Sequence, residues 1–250
     1  MNNKDSHESE INLVWNLMFN RNIDSALKRG HKSFVKGIEK LGLSNSFFPS
    51  VDFLNKQLSS IGWCIHPCEV MTISPRDWFA LLIQKRFPVT VKLRSLSELD
   101  YSVEPDCFHD YFGHLPFLYD ENLECLLLLI ARMYMSVPNK MSKDFINRLY
   151  FYVFEFGLTY VNDEIKVIGA GFMSSANETS RIYNDDIKLE NFSLEKVSSE
   201  MIHPDGVVNK AYVALDYAQL FSEIESIWPR LRDECKPVAT IAEILKELRK

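Results

Sequence analysis

The chain reads as a mainly α-helical protein with a few short β-strands, folded as a single domain. Three observations predict this. Apolar residues recur at spacings of three and four along most of the sequence. Start and stop signals such as Ser74-Pro75 and Gly42 cut these stretches into helices of ordinary length. Alternating β-branched residues are confined to short pieces. At 250 residues, one domain buries roughly 75% of its unfolded surface and needs no staples.

Residues 1 to about 10 are polar and predict a loose tail. Ile11, Val14, Trp15 and Met18 then start a helical rhythm. Phe34, Val35, Ile38 and Leu41 share one face of a second helix, from about His31 to the stop at Gly42. Asp52 is a candidate N-cap for a third helix, through Leu54 and Leu58 to about Gly62. The stretch Trp63–Val70 predicts a short strand or extended loop. Ser74 before Pro75 predicts a helix that carries Trp78, Phe79, Leu82 and Ile83 inward. Phe87–Leu93 alternates like a strand, and 94–104 is polar and irregular.

Pro105-Asp106 opens a helix to about Gly113. The segment Asn122–Tyr134 is apolar enough for a central helix buried all round. Another helix begins at Ser142 or Asp144 and carries Ile146, Leu149, Tyr150, Val153 and Phe154. A strand and turn follow over Glu164–Gly171, then polar loop over 184–200. Residues 211–228 predict mostly helix, and Ile241, Ile244, Leu245 and Leu248 stripe a last one.

The net charge of −6 disfavours non-specific binding to nucleic acid, which needs a field of Lys and Arg. The longest aliphatic run, Leu126–Ile130, is far too short to span a bilayer. The first residues lack the apolar core of a secretory signal. Cys64, Cys68, Cys107, Cys125 and Cys235 are odd in number and form no paired CxxC motif, so free thiols in a cytoplasmic setting are expected.

Two residue groups bear on chemistry. His109 and His114 are separated as H-x4-H, which puts them about 140° apart on a regular helix. They converge only if the helix loosens near Gly113; otherwise they are two unrelated histidines. Glu155 interrupts the apolar run Tyr150–Gly157. A carboxylate there requires a partner, either Arg148 or Arg132 or a cation. Two histidines and one carboxylate make a facial triad with open positions, which suits non-haem Fe(II). Zinc accepts the same donors.

These residues lie in three motifs that together resemble the pterin-dependent aromatic amino acid hydroxylases. Pro105–Pro116, PDCFHDYFGHLP, is similar to the family's iron-binding P-D-x-x-H-E-x-x-G-H-x-P. Tyr150–Leu158 resembles its Y-x-x-x-x-E-F-G-L, and Gly169–Ser175 its G-A-G-x-x-S-S. The similarity runs loosely from about His31 to about Arg232. It implies a tail and helix over 1–30, a catalytic domain of that family's type over 31–250, and a C-terminal helix beyond about 232.

The resemblance implies roles position by position. His109, His114 and Glu155 match the iron ligands. Arg94 matches the arginine that holds the substrate carboxylate, a task suited to a planar fork. Phe151, Phe156, Gly171, Ser174 and Glu178 match positions around the substrate. Ile73, Trp78, Asp110 and Tyr150 match positions around the pterin. Four departures stand out. Asp110 is a methylene shorter than the family's glutamate, Phe151 replaces a tryptophan common in the substrate pocket, Pro75 replaces a hydroxyl-bearing residue, and Pro88 replaces a histidine.

The implied activity is ring hydroxylation of an aromatic amino acid with Fe(II), molecular oxygen and tetrahydrobiopterin or a related tetrahydropterin. Phenylalanine to tyrosine is the first choice. Tyrosine, tryptophan or another aromatic carboxylate is the alternative, as is an iron-binding descendant that no longer uses pterin. A zinc hydrolase stands further off, because HExxH is absent. The short C-terminal stripe is expected to pack on its own domain, which leaves a monomer.

Overall fold

The structure is a computed structural model; it describes residues 3–69, 73–99, 105–202 and 208–232. α1 (Asn3–Arg29) is one continuous helix, so the loose tail expected before Ile11 is helical from Asn3. Its apolar face meets the centre of the molecule: the Trp15 ring lies 5.4 Å from Phe108 and Phe19 5.5 Å from Phe112. α2 (Lys32–Leu41) is capped by His31 and ends at Gly42, whose φ of 65° suits glycine. α3 (Val51–Leu58) takes its cap from Ser50, not Asp52; Ser50 Oγ accepts the Phe53 N–H, and Asp52 sits in the first turn.

β1 (Cys64–Cys68) and β2 (Arg86–Thr90) pair in parallel, with α4 (Pro75–Ile83) as the crossover between them. Ser74 caps α4 and Pro75 opens it, as the sequence predicts. Residues His109–His114 form a π-turn in place of an α-helix. α5 (Glu121–Ser136) begins on Asp120, and Leu126 through Ala131 are all buried. Burial of six consecutive residues means that every side of this helix faces protein. α6 (Lys140–Tyr150) is capped by Asn139, two residues or more before the expected start, and runs into a second π-turn, Phe151–Glu155.

A four-stranded sheet follows. β3 (Leu158–Val161) and β4 (Glu164–Val167) form a hairpin through Asn162 and Asp163, both at positive φ as a tight two-residue turn requires. α7 (Ala170–Met173), α8 (Ala176–Tyr183), β5 (Lys188–Asn191) and α9 (Leu194–Ser199) come next. β6 (Lys210–Ala214) lies between β3 and β5 in the order β4-β3-β6-β5.

β6 corrects the helix expected from Ala211. α10 (Tyr217–Arg232) starts only after it. Ala211, Tyr212, Val213 and Ala214 are all buried, and a short apolar run of this kind looks alike in a central strand and a buried helix. The stripe expected at 241–248, and Cys235, lie outside the described residues. Cys64, Cys68 and Cys107 are free thiols. No helix among the described residues is long and apolar enough to cross a membrane.

Candidate active site

The backbone resolves the awkward H-x4-H spacing by widening. In the first π-turn the Leu115 N–H donates to the Asp110 carbonyl, five residues back. Closure over five residues brings positions five apart onto one face. The His109 and His114 Nε2 atoms consequently lie 3.2 Å apart. The second π-turn, closed by the Phe156 N–H on the Phe151 carbonyl at 3.0 Å, delivers Glu155 to the same point. Its Oε2 is 3.3 Å from His109 Nε2 and its Oε1 is 3.0 Å from His114 Nε2. Among the described residues neither Arg132 nor Arg148 pairs with Glu155; its ion pairs are with the two histidines.

These separations fit a shared metal. Two donors about 2.1 Å from an octahedral cation and at right angles are about 3.0 Å apart. The hydrogen bonding fits too. Ser174 Oγ donates to the Ala170 carbonyl at 2.8 Å, so it accepts from His109 Nδ1–H at 2.9 Å. That network assigns a proton to Nδ1, which leaves Nε2 as the nitrogen that would give its lone pair to a metal.

The electrostatics also call for a cation. Burial opposes charge on His109, but the hydrogen bond and charge of Glu155 outweigh it and push the imidazole up to about 9. Burial likewise opposes charge on Glu155, while the His114 charge and both histidine hydrogen bonds hold its carboxyl well below the usual range. The three groups are arranged around one positive charge.

Small residues let the walls close in. A Cβ on Gly113 would lie 2.8 Å from the Ala170 carbonyl oxygen. One on Gly171 would lie 2.9 Å from the Phe156 ring and 3.0 Å from the Glu155 carbonyl oxygen. Phe156 packs between Phe151 and Phe172, with ring centroids at 4.8 and 5.0 Å. Phe151 also lines a separate cavity of about 200 Å³ with Tyr152, Lys188, Glu200 and Met201. Glu178 lies in the first turn of α8 and pairs with Arg181 at 2.7 Å.

Arg94 is held by a residue that sequence reasoning gave no role. Asp106 accepts Arg94 Nε at 2.7 Å, Nη2 at 3.1 Å and the Arg94 backbone N–H at 3.0 Å. It also accepts the His109 N–H at 3.3 Å, so one buried carboxylate ties the arginine to the first π-turn. The available signal was its place after Pro105, where an aspartate caps a helix.

On the expected pterin side, Trp78 meets Tyr150 edge-on at 4.7 Å, and the Tyr150 ring lies 6.5 Å from that of His114. The Tyr150 hydroxyl is buried beside the Glu155 carboxylate, without a well-formed hydrogen bond among the described residues. Such a group fits a site that a polar ligand completes. Asp110 is buried, and its Oδ2 accepts the Thr90 N–H at 2.7 Å. Burial raises its pKa against the pull of His109 and His114. Ile73 is half-buried just before the cap of α4; residues 70–72 lie outside the described chain. Pro75 opens α4, and Pro88 pairs with His66 across β1 and β2.

The family model for biopterin-dependent aromatic amino acid hydroxylases matches residues 6–235. A phenylalanine-4-hydroxylase from Mesorhizobium japonicum is 32% identical over 235 residues, covering 91% of this chain and 85% of that protein. One from Chromobacterium violaceum is 31% identical over 223 residues, covering 87% and 73%. A crystal structure of the Chromobacterium violaceum phenylalanine hydroxylase with bound iron(III) and 7,8-dihydrobiopterin superposes with a TM-score of 0.82 at 26% identity, covering 95% of this chain and 89% of that one. With the family model spanning nearly the whole described chain, the protein belongs to the biopterin-dependent aromatic amino acid hydroxylases.

Proposed function

We propose that the chain converts phenylalanine to tyrosine, with Fe(II) held by His109, His114 and Glu155 and a tetrahydropterin held beside Trp78 and Tyr150. The convergence of three donor groups within 4.8 Å of one another carries this reading. The choice of phenylalanine rests on the relatives named for that substrate. When bound, iron and pterin supply the activation of molecular oxygen and its transfer to the ring.

The residues of the chain bind and orient. Ser174 keeps the lone pair of His109 on Nε2. Arg94 gives Nε and one Nη2 hydrogen to Asp106, so a substrate carboxylate meets the end of the fork formed by Nη1 and Nη2. Fixing that end presents the ring to the metal face, where misplacement lowers rate as well as affinity. Phe156, closed down on Gly171, forms an apolar wall for the ring. Trp78 offers an aromatic surface to a flat cofactor. Asp110 and the buried Tyr150 hydroxyl supply polar contacts beside it. Gly171, Ser174 and Glu178 stand around the substrate in this reading, Phe151 borders its ring, and Ile73 lies at the pterin edge. A cytoplasmic chain accords with free thiols at Cys64, Cys68 and Cys107, and a monomer remains the reading of its oligomeric state.

The test is reconstitution with Fe(II) and a tetrahydropterin, followed by mass spectrometry of products from phenylalanine, tyrosine and tryptophan. Tyrosine formed from phenylalanine, dependent on both additions, is the expected result. Product from another ring alone would replace the substrate. Iron bound without product from any of the three would replace this reading with another aromatic substrate or an iron-binding descendant that no longer uses pterin.

A further inference from the structure

α1 carries one buried amide in its apolar stripe. Val14, Trp15, Met18, Phe19 and Ala26 are buried around it, and Asn22 itself is 4% exposed. A polar group so placed must be matched at both ends. Its Nδ2 donates to the Met18 carbonyl one turn back, at 2.7 Å. That bond is local and any helical asparagine can make it. The other bond is not local. Asn22 Oδ1 accepts the backbone N–H of Ala176 at 2.6 Å, across 154 residues of sequence.

Ala176 opens α8, where backbone N–H groups have no partner within the helix. The N-cap Ser175 takes the Glu178 N–H at 3.3 Å. Asn22 therefore supplies the acceptor that the cap leaves out. Two residues before Ala176 stands Ser174, whose Oγ meets His109 Nδ1. The turn between α7 and α8 is held at one end by the Ser174 N–H on the Ala170 carbonyl, at 2.9 Å, and at the other by Asn22.

We propose that Asn22 is a positioning residue for the metal centre: by holding the Ala176 N–H it fixes the Ser174–Ser175 turn, and through Ser174 Oγ the ring of His109. The inference rests on the reading of His109, His114 and Glu155 as iron ligands. It makes α1 part of the site although α1 supplies none of the three ligands. Partners that orient a ligating histidine change metal affinity about 10–100-fold when removed.

Three variants separate this role from packing. Asn22→Leu fills the same stripe and removes the acceptor. Asn22→Asp keeps the Oδ1 acceptor next to the N-terminus of α8, which favours negative charge, and gives up the local Nδ2 bond to the Met18 carbonyl. Ala176→Pro removes the donor without changing the sequence of α1; its ring Cδ takes the place of the hydrogen that met Asn22 Oδ1. Proline is favoured at the first helical position, and Ser175 is already extended at φ −137°, ψ 102°, as the residue before a proline must be.

The readouts are Fe(II) affinity by anaerobic chelator competition and the d–d absorption of Co(II) loaded in its place. Melting of the metal-free proteins establishes that each variant is folded. We expect Asn22→Leu and Ala176→Pro to bind Fe(II) about 10–100-fold more weakly with an altered Co(II) band, and Asn22→Asp to stay within about threefold of the parent. If Asn22→Leu does not fold, Ala176→Pro carries the test alone. Parental affinity and an unchanged Co(II) band in Ala176→Pro overturn the inference, as does an Asn22→Asp chain as weak as Asn22→Leu. A parent chain that binds Fe(II) while the variants match it sinks this inference alone. A parent that binds none sinks the ligand reading with it.

Discussion

Asp106 holds Arg94 along one edge of the guanidinium, through Nε at 2.7 Å and Nη2 at 3.1 Å, and leaves Nη1 without a protein partner among the described residues. The arginine is thereby locked before any ligand arrives. A preset fork loses less rotamer freedom on binding, which is where an exposed arginine would lose affinity.

Asp106→Asn keeps the shape and removes the charge. Breaking a fully buried pair costs about 3–5 kcal/mol; Arg94 retains some solvent contact, so about 2 kcal/mol of stability is expected to go. Poorer placement of one charge-assisted contact, worth about 1.5 kcal/mol, should raise the KM for the amino acid about tenfold. The KM for pterin should not move. Equal rises in both would show a general collapse of the site.

Ser174→Ala removes the acceptor from His109 Nδ1–H and frees the ring and its tautomer. Fe(II) affinity should fall about 10–100-fold. The Ser174 side chain is part-buried, not core, so the melting temperature of the metal-free protein should change little. A large loss of melting temperature with intact Fe(II) affinity would place the serine's role in the fold alone.

Much of this was legible from residue patterns, and the failures have physical reasons. Ser74-Pro75 and Gly42 mark real helix ends because caps act locally. His109, His114 and Glu155 are candidates as bare residues, and the motifs they lie in decide between a shared metal and separate roles. From spacing alone, His109 and His114 diverge, since helical periodicity contains no π-turn. Asp106 went without a role because its partners, Arg94 and the His109 N–H, meet it only in the folded chain. β6 reads as helix in sequence because the apolar run Ala211–Ala214 is too short to carry a period. Residues 1–30 precede the stretch whose motifs resemble the family, yet Trp15 packs on Phe108 beside the first π-turn and Phe19 on Phe112 within it.

Gly113→Ala tests whether the π-turn needs its close neighbour. In an ordinary helix this change gains up to about 1 kcal/mol. Here the new Cβ would sit 2.8 Å from the Ala170 carbonyl oxygen and 3.1 Å from its Cβ. Backbone cannot swing away as a side chain can, and overpacking costs about 1–3 kcal/mol. Overpacking should win, lowering the melting temperature by several degrees, since each 1 kcal/mol is worth about 2–4 °C at this chain length. Fe(II) binding should weaken as His114 is displaced. A rise in melting temperature would falsify the close approach.

His31 gives the fold a pH dependence remote from the metal. It caps α2, and its Nδ1 meets Ser33 Oγ at 2.7 Å and the Tyr217 hydroxyl at 3.1 Å, which joins the start of α10 to the start of α2. Burial lowers its pKa below 6.5; Asp120, 3.8 Å away, pulls it back up and Lys32 pushes it down. The folded chain thus holds the neutral ring more readily than the unfolded chain does. Its contribution to stability is complete above 6.5 and is lost as pH falls through the lower folded value. Protonation turns Nδ1 from an acceptor into a donor and removes the cap on the Ser33 N–H. Asparagine caps a helix without titrating in this range. Denaturant unfolding of the parent and of His31→Asn between pH 7 and pH 5.5 should therefore show the parent losing stability more steeply, before carboxylates begin to protonate. Parallel curves over that interval would mean that His31 is charged or solvated to the same extent in both states.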